Sequence, residues 1–101
     1  MAQATYVLVI FVTGETPSSR RQIEQLQDLL EREFTGLYRL SVVNVFKDPD
    51  AAVRHDVFAT PTVVRLLPEP VRRIVDGLRD RERVLSGLEL EHAVSADASR
   101  A

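Results

Sequence analysis

The stretch Ala59-Thr60-Pro61-Thr62-Val63-Val64-Arg65-Leu66-Leu67-Pro68-Glu69-Pro70 decides how this chain folds. Residues 62–67 are β-branched or aliphatic at all but one position, which suits a strand. Proline lacks the amide that a sheet ladder needs, so Pro61 in front and Pro68 and Pro70 behind bound that strand. Further upstream, Tyr6-Val7-Leu8-Val9-Ile10-Phe11-Val12 is a continuous β-branched and aromatic run ended by Gly14, the signature of a strand buried on both faces. Thr16-Pro17 has the form of an N-cap followed by proline at the first helical position. Ile23, Leu26, Leu29, Leu30 and Phe34 then recur at helical spacing, predicting an amphipathic helix over 17–34 that closes near Gly36. Residues 37–46 read as a second strand, and Asp48-Pro49 starts a short helix through about His55.

Downstream of the proline kink, residues 71–75 form a fourth strand, although their Arg and Ile spacing also permits a helix. Residues 80–91 read as a last helix with Val84, Leu85 and Leu88 on one side and Gly87 inside it, where glycine costs about 1 kcal/mol. Local preference and element type are poorly matched over 68–91. The order β-α-β-α-β-β-α, with Thr-Pro-Thr opening the third strand, is that of the thioredoxin fold, an α/β class in which the proline before the third strand is usually cis. The expected organisation is one domain over 1–92 and a flexible tail over 93–101.

Composition narrows the chemistry. The 101 residues include no cysteine, so disulfide exchange, thiol catalysis and cysteine-based metal sites are excluded. In redox-active thioredoxins the dithiol follows the first strand; here that position reads Thr13-Gly14-Glu15-Thr16-Pro17. His55 and His92 are the two histidines, and neither stands in a ligand-rich cluster, so no metal is expected. Ser18 and Ser19 sit in a first helical turn, ordinary serine territory. No glycine-rich phosphate loop is present, and Glu31/Glu33 and Glu89/Glu91 are i,i+2 pairs that diverge on a helix. No catalytic residue and no cofactor are expected.

The net charge of −2 gives no pull toward nucleic acid or anionic lipid. Arg72, Arg73, Arg79, Arg81 and Arg83 interleave with Asp76, Asp80, Glu82 and Glu89, as on a solvated face with local ion pairs. Arg65, Arg72 and Arg73 also flank the Pro68-Glu69-Pro70 kink and read equally well as anchors for a carboxylate-bearing protein surface. The apolar run at 6–12 is far too short to cross a bilayer. Residues 1–5 lack the features of an export signal, so a cytoplasmic, membrane-free location is expected.

Several motifs, in order and spacing, resemble the KaiB family of circadian clock proteins over roughly residues 6–91. They are Tyr6-Val7-Leu8 with Gly14-Glu15-Thr16-Pro17, Glu33-Phe34-Thr35-Gly36-Leu37-Tyr38, Val45-Phe46-Lys47-Asp48-Pro49, Ala59-Thr60-Pro61-Thr62, Leu67-Pro68-Glu69-Pro70-Val71-Arg72-Arg73-Ile74 and Arg81-Glu82-Arg83-Val84-Leu85 with Gly87-Leu88-Glu89-Leu90. The resemblance implies a non-enzymatic regulator that binds a KaiC-like hexameric ATPase, with KaiA or a SasA-like kinase as further partners. It also implies a fold switch: a self-associating ground state, tetramer or dimer, exchanging with a thioredoxin-like form by rearranging the C-terminal half. By matched position it assigns partner binding to Arg21, Arg65, Arg72 and Arg73, and fold balance to Tyr6, Pro61, Pro68, Pro70, Gly87 and Glu89. On helix propensity alone, Gly87→Ala is expected to favour the thioredoxin-like form. The competing expectation is a permanently thioredoxin-like interaction domain similar to the input domain of SasA.

Overall fold

The computed structural model describes residues 5–91. The elements are β1 (Tyr6–Val12), α1 (Pro17–Glu33), β2 (Tyr38–Asn44), α2 (Pro49–Arg54), β3 (Thr62–Leu67), β4 (Arg72–Val75) and α3 (Arg81–Gly87). They form one sheet in the order β2-β1-β3-β4. β1 pairs parallel with β2 and antiparallel with β3, and β3 pairs antiparallel with β4. The expected tail over 93–101, and His92, lie outside the described residues.

Strand alternation explains why β1 tolerates no polar position. Tyr6, Leu8, Ile10 and Val12 face the main core with Leu26, Leu30, Phe34, Val84 and Leu88. Val9 and Phe11 face a smaller cluster on the other side of the sheet, with Ala51 of α2 and Val64. A strand covered by helices on both faces has no wet side to reserve for polar residues. The Tyr6 and Phe34 rings meet edge-to-face with centroids 5.5 Å apart, which locks the end of α1 onto the start of β1.

α1 begins as its sequence predicts. Thr16 is extended, its side chain accepts from the Ser19 amide at 3.0 Å, and Pro17 occupies the first turn. β2 ends at Asn44, two residues before the expected boundary. The Asn44 Oδ1 accepts from the amides of both Gly14 and Phe46, and its carbonyl accepts from Lys47 and Asp48, so the chain turns there. β4 is a strand, which settles the ambiguity at 71–75.

α3 is shorter than expected and stops at Gly87 rather than near residue 91. Glu89 has φ +52, the Leu90 amide donates to the Leu85 carbonyl at 2.8 Å, and the Glu89 amide donates to Ser86 at 3.2 Å. Those two bonds around a left-handed residue make a Schellman cap, and buried Leu90 lies in the same core cluster as Leu85. Gly87 is therefore the last helical residue, not an interior one. Its Cα lies against β4, where an added Cβ would come 2.3 Å from Ile74 Cγ2.

Candidate functional site

Two regions carry the residues that the sequence singled out. The first is the end of the sheet where β1 runs into α1. Gly14 adopts φ +74, turning the chain toward the helix. The Thr13 and Thr60 hydroxyls hydrogen-bond to each other, tying this turn to the loop before Pro61, whose peptide bond is cis. Ser19 Oγ donates to the Thr13 carbonyl at 3.2 Å and is buried, so it serves the turn, not a reaction. Among the described residues, no three His, Cys, Asp or Glu side chains converge as a metal cage requires, and no helix is long and apolar enough to cross a membrane.

What this end offers instead is apolar surface. Phe58 is 93% exposed and Phe46 74%, and both border the Thr13-Gly14 turn. Val53, on α2, is 75% exposed as well. Exposed aromatics beside polar groups are the usual anchors of protein interfaces. Sequence pattern gives neither phenylalanine a surface role: Phe46 falls in the expected second strand, and Phe58 belongs to no periodic pattern. A phenylalanine in a loop, outside any strand or helix stripe, is the signal that would have flagged them.

Lys47 Nζ meets Glu15 Oε2 at 3.0 Å at the same end. The hydrogen bond from Lys47, then its charge, lower the Glu15 carboxyl below the ordinary glutamate value.

The second region is the packing of α3 against β3 and β4. Arg65, expected at the partner-binding surface, is only 4% exposed. Its guanidinium points inward and donates to the carbonyls of Pro70 at 2.8 Å and Glu89 at 3.4 Å, while its Nε is buried without a partner. In this fold Arg65 cannot reach a partner; it straps the proline kink to the end of α3. Leu67-Pro68 and Glu69-Pro70 are both cis, and Pro68 and Pro70 are exposed.

Arg72 and Arg73, adjacent in sequence, point to opposite faces because β4 alternates. Arg72 pairs with Glu89 at 2.8 Å on the α3 side, whereas Arg73 donates to the His55 carbonyl at 3.2 Å at the end of α2. Arg21 stands apart from both, on α1 in a cleft beside Pro61. The four arginines therefore form no single cluster. Of the residues expected to set a fold balance, Glu89 and Gly87 join this second region, and Tyr6 reaches it through Glu91. Arg81 clamps α3 to α1 by pairing with Glu33 and also holds Glu82. The hydrogen bond to Glu33 is the largest cause raising the Arg81 pKa above its ordinary value.

Solved structures with the same fold include the N-terminal domain of SasA from Synechococcus elongatus, with TM-score 0.69 at 21% identity over 88% of each chain. Mitochondrial thioredoxin 3 from Saccharomyces cerevisiae superposes with TM-score 0.66 at 18% identity, covering 87% of this chain and 80% of the other. At such identities the likeness speaks for the fold. In sequence, the chain is 51% identical over 86 residues to the circadian clock oscillator protein KaiB of Prochlorococcus marinus (strain MIT 9303), covering 85% of this chain and 72% of the relative. It is 49% identical over 89 residues to the KaiB of Nostoc sp. (strain PCC 7120), covering 88% of this chain and 82% of that one. The KaiB domain model matches residues 9–90, which span the sheet apart from the first three residues of β1. The chain belongs to the KaiB family of circadian clock proteins.

Proposed function

We propose that the protein is a non-enzymatic clock regulator that docks on a KaiC-type hexameric ATPase and alters its phosphorylation cycle. The observation that carries this reading is the exposure of Phe58 and Phe46 at the end of a thioredoxin-like sheet that carries no thiol. That end is equipped for contact rather than for disulfide exchange. Arg21 supplies charge beside Pro61 at this end, Arg72 and Arg73 supply it from β4, and Arg65 acts indirectly by holding the proline kink in place.

The thioredoxin-like form is the binding form in this proposal, and it exchanges with a self-associated ground state, tetramer or dimer, in which the C-terminal half is repacked. Tyr6, Pro61, Pro68, Pro70, Gly87 and Glu89 are the residues whose contacts set that balance. KaiA or a SasA-like kinase is the further partner, the cytoplasm is the compartment, and residues 1–92 act as one unit. The poor local match over 68–91 and the left-handed Glu89 support a segment with two competing packings.

Size exclusion with light scattering on the full chain mixed with the cognate ATPase and ATP tests the docking. The expected result is a complex that Phe58→Ala weakens about tenfold or more without unfolding the domain. Absence of any complex in every nucleotide state overturns it. A single unchanging set of amide NMR peaks alongside ATPase binding would instead favour a permanently thioredoxin-like binding domain.

A further inference from the structure

α1 and the β4–α3 connection enclose a polar cleft of about 450 Å³ beside cis-Pro61. Ser18, Arg21, Gln22 and Gln25 line it from α1, and Arg79 lines it from the connection. The opposite wall is fixed in place by the backbone: the Asp76 amide donates to the Pro61 carbonyl at 2.8 Å, and Asp76 and Gly77 both take positive φ. Arg83 packs over Gly77 so closely that a Cβ there would fall 2.3 Å from its Nε. Leu78 anchors the wall from below, buried in the core.

Most arginines in this half of the molecule are engaged. Arg72 holds Glu89, Arg81 holds Glu33 and Glu82, Arg65 holds two carbonyls, Arg73 donates to His55 and Arg83 to Val75. Arg21 and Arg79 differ: both are exposed, and neither has an ion pair or hydrogen bond among the described residues. They face one cleft from its two walls, with amide and hydroxyl donors between them and Asp76 as the single carboxylate lining it. Two cations and one anion leave the cleft one negative charge short.

We propose that this cleft binds an acidic segment of a protein partner, with a carboxylate seated between Arg21 and Arg79 and the neighbouring residues held by Gln22 and Gln25. Charge-assisted bonds to a pair of guanidiniums favour a carboxylate over a neutral side chain. The proposal rests on the docking reading above and adds to it the chemistry of the contact and a specificity residue, Arg79. It also makes the contact depend on fold, because Arg79 reaches Arg21 only while β4 and α3 are packed as here.

Two measurements on the full chain test it. In the first, acetylated tetraglutamate amide is titrated into the isotope-labelled protein. Shifts concentrated at Ser18, Gln22, Gln25 and Arg79, and lost in Arg79→Ala, are the expected result. Shifts spread evenly over the basic residues, an Arg79→Ala titration identical to wild type, or a cleft that takes inorganic phosphate but not the peptide would each overturn it. In the second, binding to the cognate ATPase is compared for wild type, Arg79→Glu and the control Arg39→Glu on β2. Arg79→Glu is expected to weaken binding about tenfold or more, with Arg39→Glu unchanged. Wild-type binding that Arg79→Glu leaves intact overturns the cleft and spares the docking reading. Peptide shifts at the cleft with no ATPase binding spare the cleft and overturn the named partner.

Discussion

Tyr6 and Glu91, separated by 85 positions, are joined through both backbone polar groups of Glu91: Tyr6 Oη donates to the Glu91 carbonyl at 2.9 Å and accepts from the Glu91 amide at 2.8 Å. The ring that carries this hydroxyl is buried against Phe34, so the first strand, the end of α1 and the chain beyond α3 meet at one side chain.

Tyr6→Phe keeps the ring and removes only the hydroxyl, leaving a partly buried amide and carbonyl without their partner. A loss of about 1–2 kcal/mol is expected for this fold. Chemical denaturation measures it, and hydrogen exchange at Glu91 and Leu90 reports whether the loosening is local. An unchanged midpoint would show that water replaces the hydroxyl at no cost.

Glu89 is a non-glycine residue at the left-handed position of a helix cap. Glu89→Gly relieves the Cβ strain at φ +52 and forfeits a half-exposed ion pair with Arg72. The first effect is the larger, so a net gain of about 0.5–1 kcal/mol is expected. Glu89→Val, β-branched at the same φ, should lose stability in the same assay.

Gly87→Ala has two opposed consequences. Helix propensity favours alanine, but by less at the last helical position than inside a helix. Against it, the new Cβ meets Ile74 Cγ2. The two sites are therefore coupled: Gly87→Ala should be more favourable in an Ile74→Ala background than in wild type, by about 1 kcal/mol or more. Additive stabilities in the double-mutant cycle would refute the contact.

Glu15 should titrate below the ordinary glutamate range because Lys47 donates a hydrogen bond to its carboxylate and adds a positive charge. A folded pKa below the unfolded one contributes stability that is present above the unfolded value and lost as pH falls through the folded one. Lys47→Ala should raise the Glu15 midpoint toward its ordinary value, as followed by carboxyl-carbon NMR. A midpoint that Lys47→Ala does not move would mean the pair is not formed in solution.

Much of the architecture was legible from local pattern. The unbroken apolar run at 6–12 can be satisfied only where both faces are covered, and β1 lies at the centre of the sheet with a helix cluster on each side. Thr16-Pro17 carries its own capping chemistry, so the start of α1 needed no tertiary information. The absence of cysteine by itself settles the fate of the thioredoxin dithiol position. These features depend on residues a few positions apart, and periodicity reports them directly.

Tertiary structure decided the rest, because it depends on which distant groups meet. Arg65 lies 5 positions from Pro70 and 24 from Glu89, and only the packing of α3 over β3 turns a surface arginine into a buried strap. Position 87 is glycine because Ile74 leaves no room for a Cβ, and α3 ends there because the Leu90 amide closes back onto the Leu85 carbonyl. Arg21 and Arg79 share a cleft only because the Asp76 amide finds the Pro61 carbonyl. A linear pattern records each residue's own preference; it carries no record of the partner that overrides it.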